Sequence, residues 1–143
     1  MNVAVIVPVR EPAPFLDAAL ASLPADPIVI RDHDARGPAW ARNRGLHQVG
    51  DAVEWVGFCD ADDVWLAGKL EAQLRVAASA DVVVGSAVIV GADGTASREE
   101  WGDLDVSRLY ERNPILLSSV IVRRDLLVEV GGFDESLPQA EDW

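Results

Sequence analysis

Apolar residues in this chain alternate between short continuous runs and stretches at helical spacing, the pattern of an α/β protein. Asn2 to Val9 is a near-continuous Val/Ile run closing at Pro8, as expected of a strand buried on both faces. Beyond a loop with two prolines, Phe15, Leu16, Ala19, Leu20 and Leu23 recur at helical spacing until Pro24 stops them. Ile28 to Ile30 follows as a second strand, so the chain opens β-α-β, which favours a parallel pair. A polar loop, 31–37, leads to Pro38, suited to the first turn of a helix from Ala39 to Val49.

Val53 to Cys59 is an apolar, aromatic and β-branched run that reads as the central strand. It ends abruptly in Asp60, Asp62 and Asp63, followed by Val64, Trp65 and a helix striped by Leu66, Leu70, Leu74 and Ala77. Asp81 to Gly85 and Ala87 to Val90 are strand-like, and Ala92 to Thr95 carries a turn signal. Ser97 to Asp105 reads as polar loop and Ile115 to Val122 as strand. Asp125 is placed to cap a short helix, Leu126 to Val130, ended by Gly131 or Gly132. Residues 1–143 are expected to form one domain, with some antiparallel pairing in its second half.

The net charge of −12 argues against a general nucleic-acid or anionic-membrane surface. No run of apolar residues is long enough to span a bilayer, and Arg10 and Glu11 cut the first run too short for a signal sequence. Cys59 is the sole cysteine, which excludes an intramolecular disulfide and fits a cytoplasmic location. Against this acidic background an anionic ligand needs a metal, a helix N-terminus or locally placed arginines. Carboxylates crowded at a strand end repel one another, and a hard divalent cation relieves that repulsion. Ligands of open α/β sheets bind beyond the carboxyl ends of the strands, where these acids lie. A polar loop or helix cap is the plainer reading of the same residues.

Four stretches, in order, resemble family 2 glycosyltransferases of the GT-A fold. They are Val5-Ile6-Val7-Pro8-Val9-Arg10-Glu11, Gly37-Pro38-Ala39-Trp40-Ala41-Arg42-Asn43-Arg44-Gly45, Phe58-Cys59-Asp60-Ala61-Asp62-Asp63-Val64-Trp65 with Lys69-Leu70, and Val130-Gly131-Gly132-Phe133-Asp134-Glu135 with Glu141-Asp142. The resemblance implies a Rossmann-like, three-layer fold with a mostly parallel central sheet. It also implies transfer of a sugar from a nucleotide-diphosphate donor, with inversion, to a saccharide, lipid-linked or small-molecule acceptor, and it leaves room for a homo-oligomer.

Carried over residue by residue, Pro8, Val9, Arg10 and Glu11 would line the nucleotide pocket, Asp32 or Asp34 would meet the base, and Arg42 would lie close to the donor. Asp62 would bind Mg²⁺ or Mn²⁺, Asp60 the ribose or the ion, with Asp63 in support. Asp142 would be the general base. The sequence departs from the family in a short Ile28 to Gly37 connection, in Glu11 where Asn is usual, and in an end one residue after Asp142. It therefore reads as a shortened donor-binding core.

Each assignment has an ordinary structural counterpart: a solvated helix face for Arg42 and Asn43, turns for Asp32 and Asp34, a helix start for Glu141 and Asp142. His33 and His47 stand at no metal-ligand spacing. Two other functions compete. One is a nucleotide-sugar-binding module without turnover. The other is a phosphohydrolase with Asp60 as nucleophile, which would need Lys69, the only lysine, beside it.

Overall fold

The computed structural model describes residues 1–24, 26–99, 107, 113 and 115–137. Its elements follow as β1 (Val3–Val9), α1 (Leu16–Ser22), β2 (Ile28–Arg31), α2 (Pro38–Leu46), β3 (Trp55–Phe58), α3 (Lys69–Val76), β4 (Val82–Val84), β5 (Ala87–Val90), β6 (Ala96–Glu99), β7 (Val120–Arg123) and α4 (Arg124–Glu129). Five strands form one sheet in the order β2-β1-β3-β7-β4. β1 is parallel to β2 and β3, whereas β7 is antiparallel to β3 and β4. Four strands therefore share a direction and only β7 opposes them. The apolar run ending in the acids is the middle strand.

Period-two alternation divides each strand between two cores. Val5, Val7 and Val9 of β1, with Trp55 and Cys59, pack on Leu16 and Ala19 of α1 and against Leu70 and Leu74 of α3. Ile6, Val56, Phe58, Val120 and Val122 face Leu46 and Leu127 on the other side. The result is the three-layer arrangement, with α1 and α3 on one face and α2 and α4 on the other. Ile6, Val7, Val9, Phe58 and Ile121 have essentially no exposed surface, each stabilising the fold by roughly 1.5–3 kcal/mol.

Four local expectations are revised. Of the expected loop Ser97 to Asp105, Ser97 to Glu99 belong to β6, which pairs with β5 across a turn closed by Gly91 and Thr95, and 100–105 lie outside the described residues. That hairpin leaves Val88 and Val90 about half or more exposed, so no buried face imprinted a pattern on its sequence. Leu117–Ser119 is a tight 3-10 turn and β7 starts only at Val120, since the Ser119 amide and hydroxyl both bond the Leu116 carbonyl at 2.8 and 2.7 Å. Asp125 lies inside the first turn of α4 rather than capping it, its carboxylate drawn to Arg123. Leu66 is exposed, because left-handed Gly68 delays α3 to Lys69. Among the described residues no helix is long and apolar enough to cross a membrane.

One glycine sets how closely α2 meets the sheet. A Cβ at Gly45 would overlap Ile6 Cγ2, a β-branched group with no exposed surface and little rotameric freedom. Gly45→Ala is expected to lower stability by about 1–3 kcal/mol, as overpacked cores do, read from the urea unfolding midpoint.

Candidate functional site

Because β1, β2 and β3 run parallel, their carboxyl ends emerge along one edge of the sheet. Val9 pairs with Arg31, Ile6 pairs with Phe58, and the ladder runs on through the amides of Asp32 and Cys59. The chain leaves β1 for β2 on one side and reaches β3 on the other, which is the switch point at which such sheets bind ligands. A cleft of about 580 Å³ opens there, lined by Pro8, Val9, Arg10, Asp32, Gly37, Arg42, Asp60 and Asp62, with Pro12 to Phe15 as a second wall. A groove of about 690 Å³ at the opposite edge holds Asp51, Asp81, Arg123 and Arg124. Its arginines already pair with acids, Arg123 with Asp81 and Asp125 and Arg124 with Asp51. It contains none of the site residues expected from the sequence.

The acids at the end of β3 differ in environment. Arg42, on the buried face of α2 with a side chain 4% exposed, donates from Nη2 to Asp60 Oδ1 at 3.0 Å. The Asp60 amide donates to Ser118 Oγ at 3.0 Å, and the Asp63 amide closes a β-turn on the Asp60 carbonyl at 3.0 Å. Asp62 sits on this turn, exposed and lining the cleft. Asp63 is outside the cleft lining. Desolvation raises its pKa, the Ser118 hydroxyl bond opposes that rise, and neighbouring Asp60 and Asp62 add to it.

Asp32 is buried, and its two carboxylate oxygens accept from the Arg36 and Gly37 amides at 2.9 and 2.8 Å. The loop before α2 thus folds round that carboxylate, with Ala35 and Gly37 at positive φ. Asp34 is exposed and outside the cleft lining. Glu11 also lies outside it. Its carboxylate pairs with Arg31 and accepts from the Ala13 amide at 3.0 Å, bracing the wall of the cleft.

A second junction joins α2 to the segment after α4. Asn43 Oδ1 accepts from the Phe133 amide, and Asn43 Nδ2 donates to the Phe133 carbonyl and to Glu135, all at 2.8–2.9 Å. Left-handed Gly131 and Gly132 turn the chain into this clamp. The Phe133 ring then packs edge-on to Phe58 at 5.3 Å and beneath Arg42 at 5.6 Å. Asp142 and Glu141 lie outside the described residues.

Behind the acids, Cys59 is fully buried and desolvation pushes its thiol up to about 12, so it stays protonated. Lys69 lies 3.5 Å from the centroid of the Trp65 ring and donates to Gln73 Oε1 at 2.8 Å. It does not line the cleft, which removes the lysine that a phosphohydrolase would need beside Asp60. Among the described residues no three His, Cys, Asp or Glu side chains converge on a metal position. The cleft instead offers two hard carboxylates, Asp60 and Asp62. Mg²⁺ is commonly held by one or two carboxylates, with substrate phosphate oxygens filling the rest of its shell. The donor set fits such an ion in company with a diphosphate.

The sequence profile of glycosyl transferase family 2 matches residues 14–120. The chain belongs to that family. No curated protein sequence matches it. Among solved structures, S. aureus TarS 1-349 superposes with a TM-score of 0.71 at 22% identity, over 99% of this chain and 53% of that one. The complex of the same TarS fragment with UDP-GlcNAc gives 0.73 at 22% identity, over 99% and 51%. Its complex with UDP gives 0.71 at 22%, over 99% and 53%. The chain spans about half the length of these fragments and shares their GT-A fold.

Sequence reasoning missed Ser118, Gln73 and the Asn43 clamp of this family 2 domain. Ser118 was open to discovery once β7 was paired with β3, since their register continues to bring Asp60 opposite Ser118. Lys69 gives the site region a measurable pH signature. Desolvation lowers its pKa from 10.5 to about 8. Between those values the unfolded chain holds the proton and the folded chain does not, so stability rises with pH. The penalty is fully present below the folded value and absent above the unfolded one. Wild type is expected to gain up to about 1 kcal/mol over Lys69→Met between roughly pH 7 and pH 9 in urea titrations.

Proposed function

We propose that this family 2 domain holds the nucleoside diphosphate of a sugar donor and, with a divalent ion, supports transfer of the sugar to an acceptor hydroxyl with inversion. The observation that carries this reading is one cleft shared by Pro8, Arg42, Asp60 and Asp62 at the carboxyl ends of β1 and β3. TarS fragments crystallised with UDP and with UDP-GlcNAc make uridine diphosphate the first nucleotide to test.

In this reading Pro8, Val9 and Arg10 form the floor and one flank of the nucleotide site, and Asp32 is the acid closest to the base. Asp34 is exposed outside the cleft and is not needed for that contact. Glu11 keeps the Pro12 to Phe15 wall in place. Asp62 and Asp60 would hold Mg²⁺ or Mn²⁺, and Asp63 would stabilise their turn. When bound, the ion neutralises charge on the departing diphosphate as a Lewis acid. Arg42 orients Asp60 and brings a positive charge to an otherwise acidic surface. The start of α2 at Gly37 adds helix-terminal amides that favour anions. Asp142, seven residues after the clamped Glu135, would take the acceptor proton as the hydroxyl attacks. A cytoplasmic setting, where the free Cys59 stays reduced, suits this chemistry.

UDP with Mn²⁺ at about a hundredfold excess over Kd is expected to stabilise the protein by about 2.7 kcal/mol, several degrees in Tm. Asp62→Ala abolishes the shift, and no response of wild type to any nucleoside diphosphate with Mn²⁺ sinks the proposal.

Release of free or transferred sugar from a UDP-sugar distinguishes turnover from binding alone. Asp142→Asn is expected to slow that release by about a hundredfold or more while UDP affinity holds, as loss of a general base requires.

A further inference from the structure

Ser118 belongs to no motif that links this chain to its family, yet its side chain holds the start of the acidic turn. Its Oγ accepts from the Asp60 amide at 3.0 Å, and its hydroxyl opposes the upward pKa shift of Asp63. It anchors the first residue of the turn on which Asp62 is displayed, while Arg42 fixes the Asp60 side chain from the other side.

The serine is itself rigidly placed. Gln73 of α3, 5% exposed, donates to the Ser119 carbonyl at 2.8 Å and the Val83 carbonyl at 3.1 Å, and receives a bond from Lys69. The Gly85 amide donates to the same Ser119 carbonyl at 2.8 Å. A serine oxygen supplies the acceptor that the Asp60 amide uses. An alanine there would leave the Asp60 amide without this acceptor and the turn free to splay under the mutual repulsion of its acids.

We propose that Ser118 is a positioning residue of the donor site, setting the geometry in which Asp60 and Asp62 receive a cation together with a diphosphate. This rests on the metal-assisted donor reading above. Ser118 touches neither ion nor nucleotide; it acts through the turn. Its loss therefore weakens the part of nucleotide affinity that depends on the cation and spares the part that does not.

The test is calorimetric titration of UDP into wild type, Ser118→Ala and Ser118→Thr, each with and without Mn²⁺. Ser118→Ala is expected to lose about fivefold or more of the Mn²⁺-dependent affinity, the fold-change of one lost hydrogen bond, with metal-free affinity held within about twofold. Ser118→Thr, which keeps the hydroxyl, is expected to return to within about twofold of wild type. Should Ser118→Ala not fold, Ser118→Cys, a weak donor and acceptor of similar size, reads the same quantity. Equal binding by wild type and the hydroxyl-free variants overturns the role of Ser118 alone. Equal loss with and without Mn²⁺ also overturns it, pointing to a general structural effect. No Mn²⁺-dependent UDP binding by wild type removes the donor reading and this inference together.

Discussion

Negative charge concentrated at the end of a buried strand is the constraint to which the rest of the structure answers. Asp60, Asp62 and Asp63 leave β3 within four residues, in a chain already carrying a net charge of −12. Like charges this close disfavour one another's ionisation, so the fold must supply compensation or admit a cation. Part of the compensation is Arg42, delivered by α2 from the opposite side of the cleft with its stem buried. A guanidinium withdrawn from water lacks the screening that weakens surface pairs, so its hold on Asp60 is firmer than an exposed ion pair would give. Five arginines and five acids fall between positions 10 and 44, leaving the whole surplus of negative charge to the remainder of the chain. The strand that carries the acids is acidic at its tip, and the α2 side that faces it is balanced. In the proposed donor reading, a diphosphate entering between them would meet Arg42 on one wall and a cation on the other.

That arrangement depends on close packing as much as on charge. Arg42 reaches Asp60 because α2 lies directly on β1, and the approach is possible because residue 45 has no side chain. On the far face, Trp65 crosses Gly57 so closely that a Cβ there would lie 2.8 Å from its ring, while its indole nitrogen donates to the Phe58 carbonyl at 3.2 Å. The two glycines thus fix how near the helix and the post-acid segment come to the strands that bear the site. Stability and site geometry are set by the same contacts.

The architecture was readable because strands buried on both faces must be continuously apolar, as Val3–Val9 and Trp55–Phe58 are, and because amphipathic helices betray their buried stripe. The two cores and the site edge followed from that. Where burial is absent the signal disappears: β5 and β6 form a hairpin with exposed faces, so the polar Ala96–Glu99 looked like loop. The site was half legible. Pro8, Arg10, Arg42, Asp60 and Asp62 converge as their motifs suggested. Glu11 and Asp63 serve the same cleft from outside it, which no pattern of residue types distinguishes from lining it. Ser118 was legible only through strand pairing. A serine before a strand is commonplace, and its meaning comes only from an antiparallel register that joins positions 58 residues apart.

The clamp at Asn43 suggests why the family's motifs occur together at all. Asn43 follows Arg42, so the two side chains leave α2 in different directions, one to the strand-end acid and one to the Phe133 backbone. Phe133 closes the circuit by packing on Phe58, the last residue of the strand before the acids, and beneath Arg42 itself. An amide side chain that satisfies both the N–H and the C=O of one residue fixes that residue in register more firmly than either bond alone. Displacing the segment after α4 would therefore disturb Arg42, and through it Asp60. The cleft and the segment after α4 are parts of one packed unit, joined through a single turn of one helix.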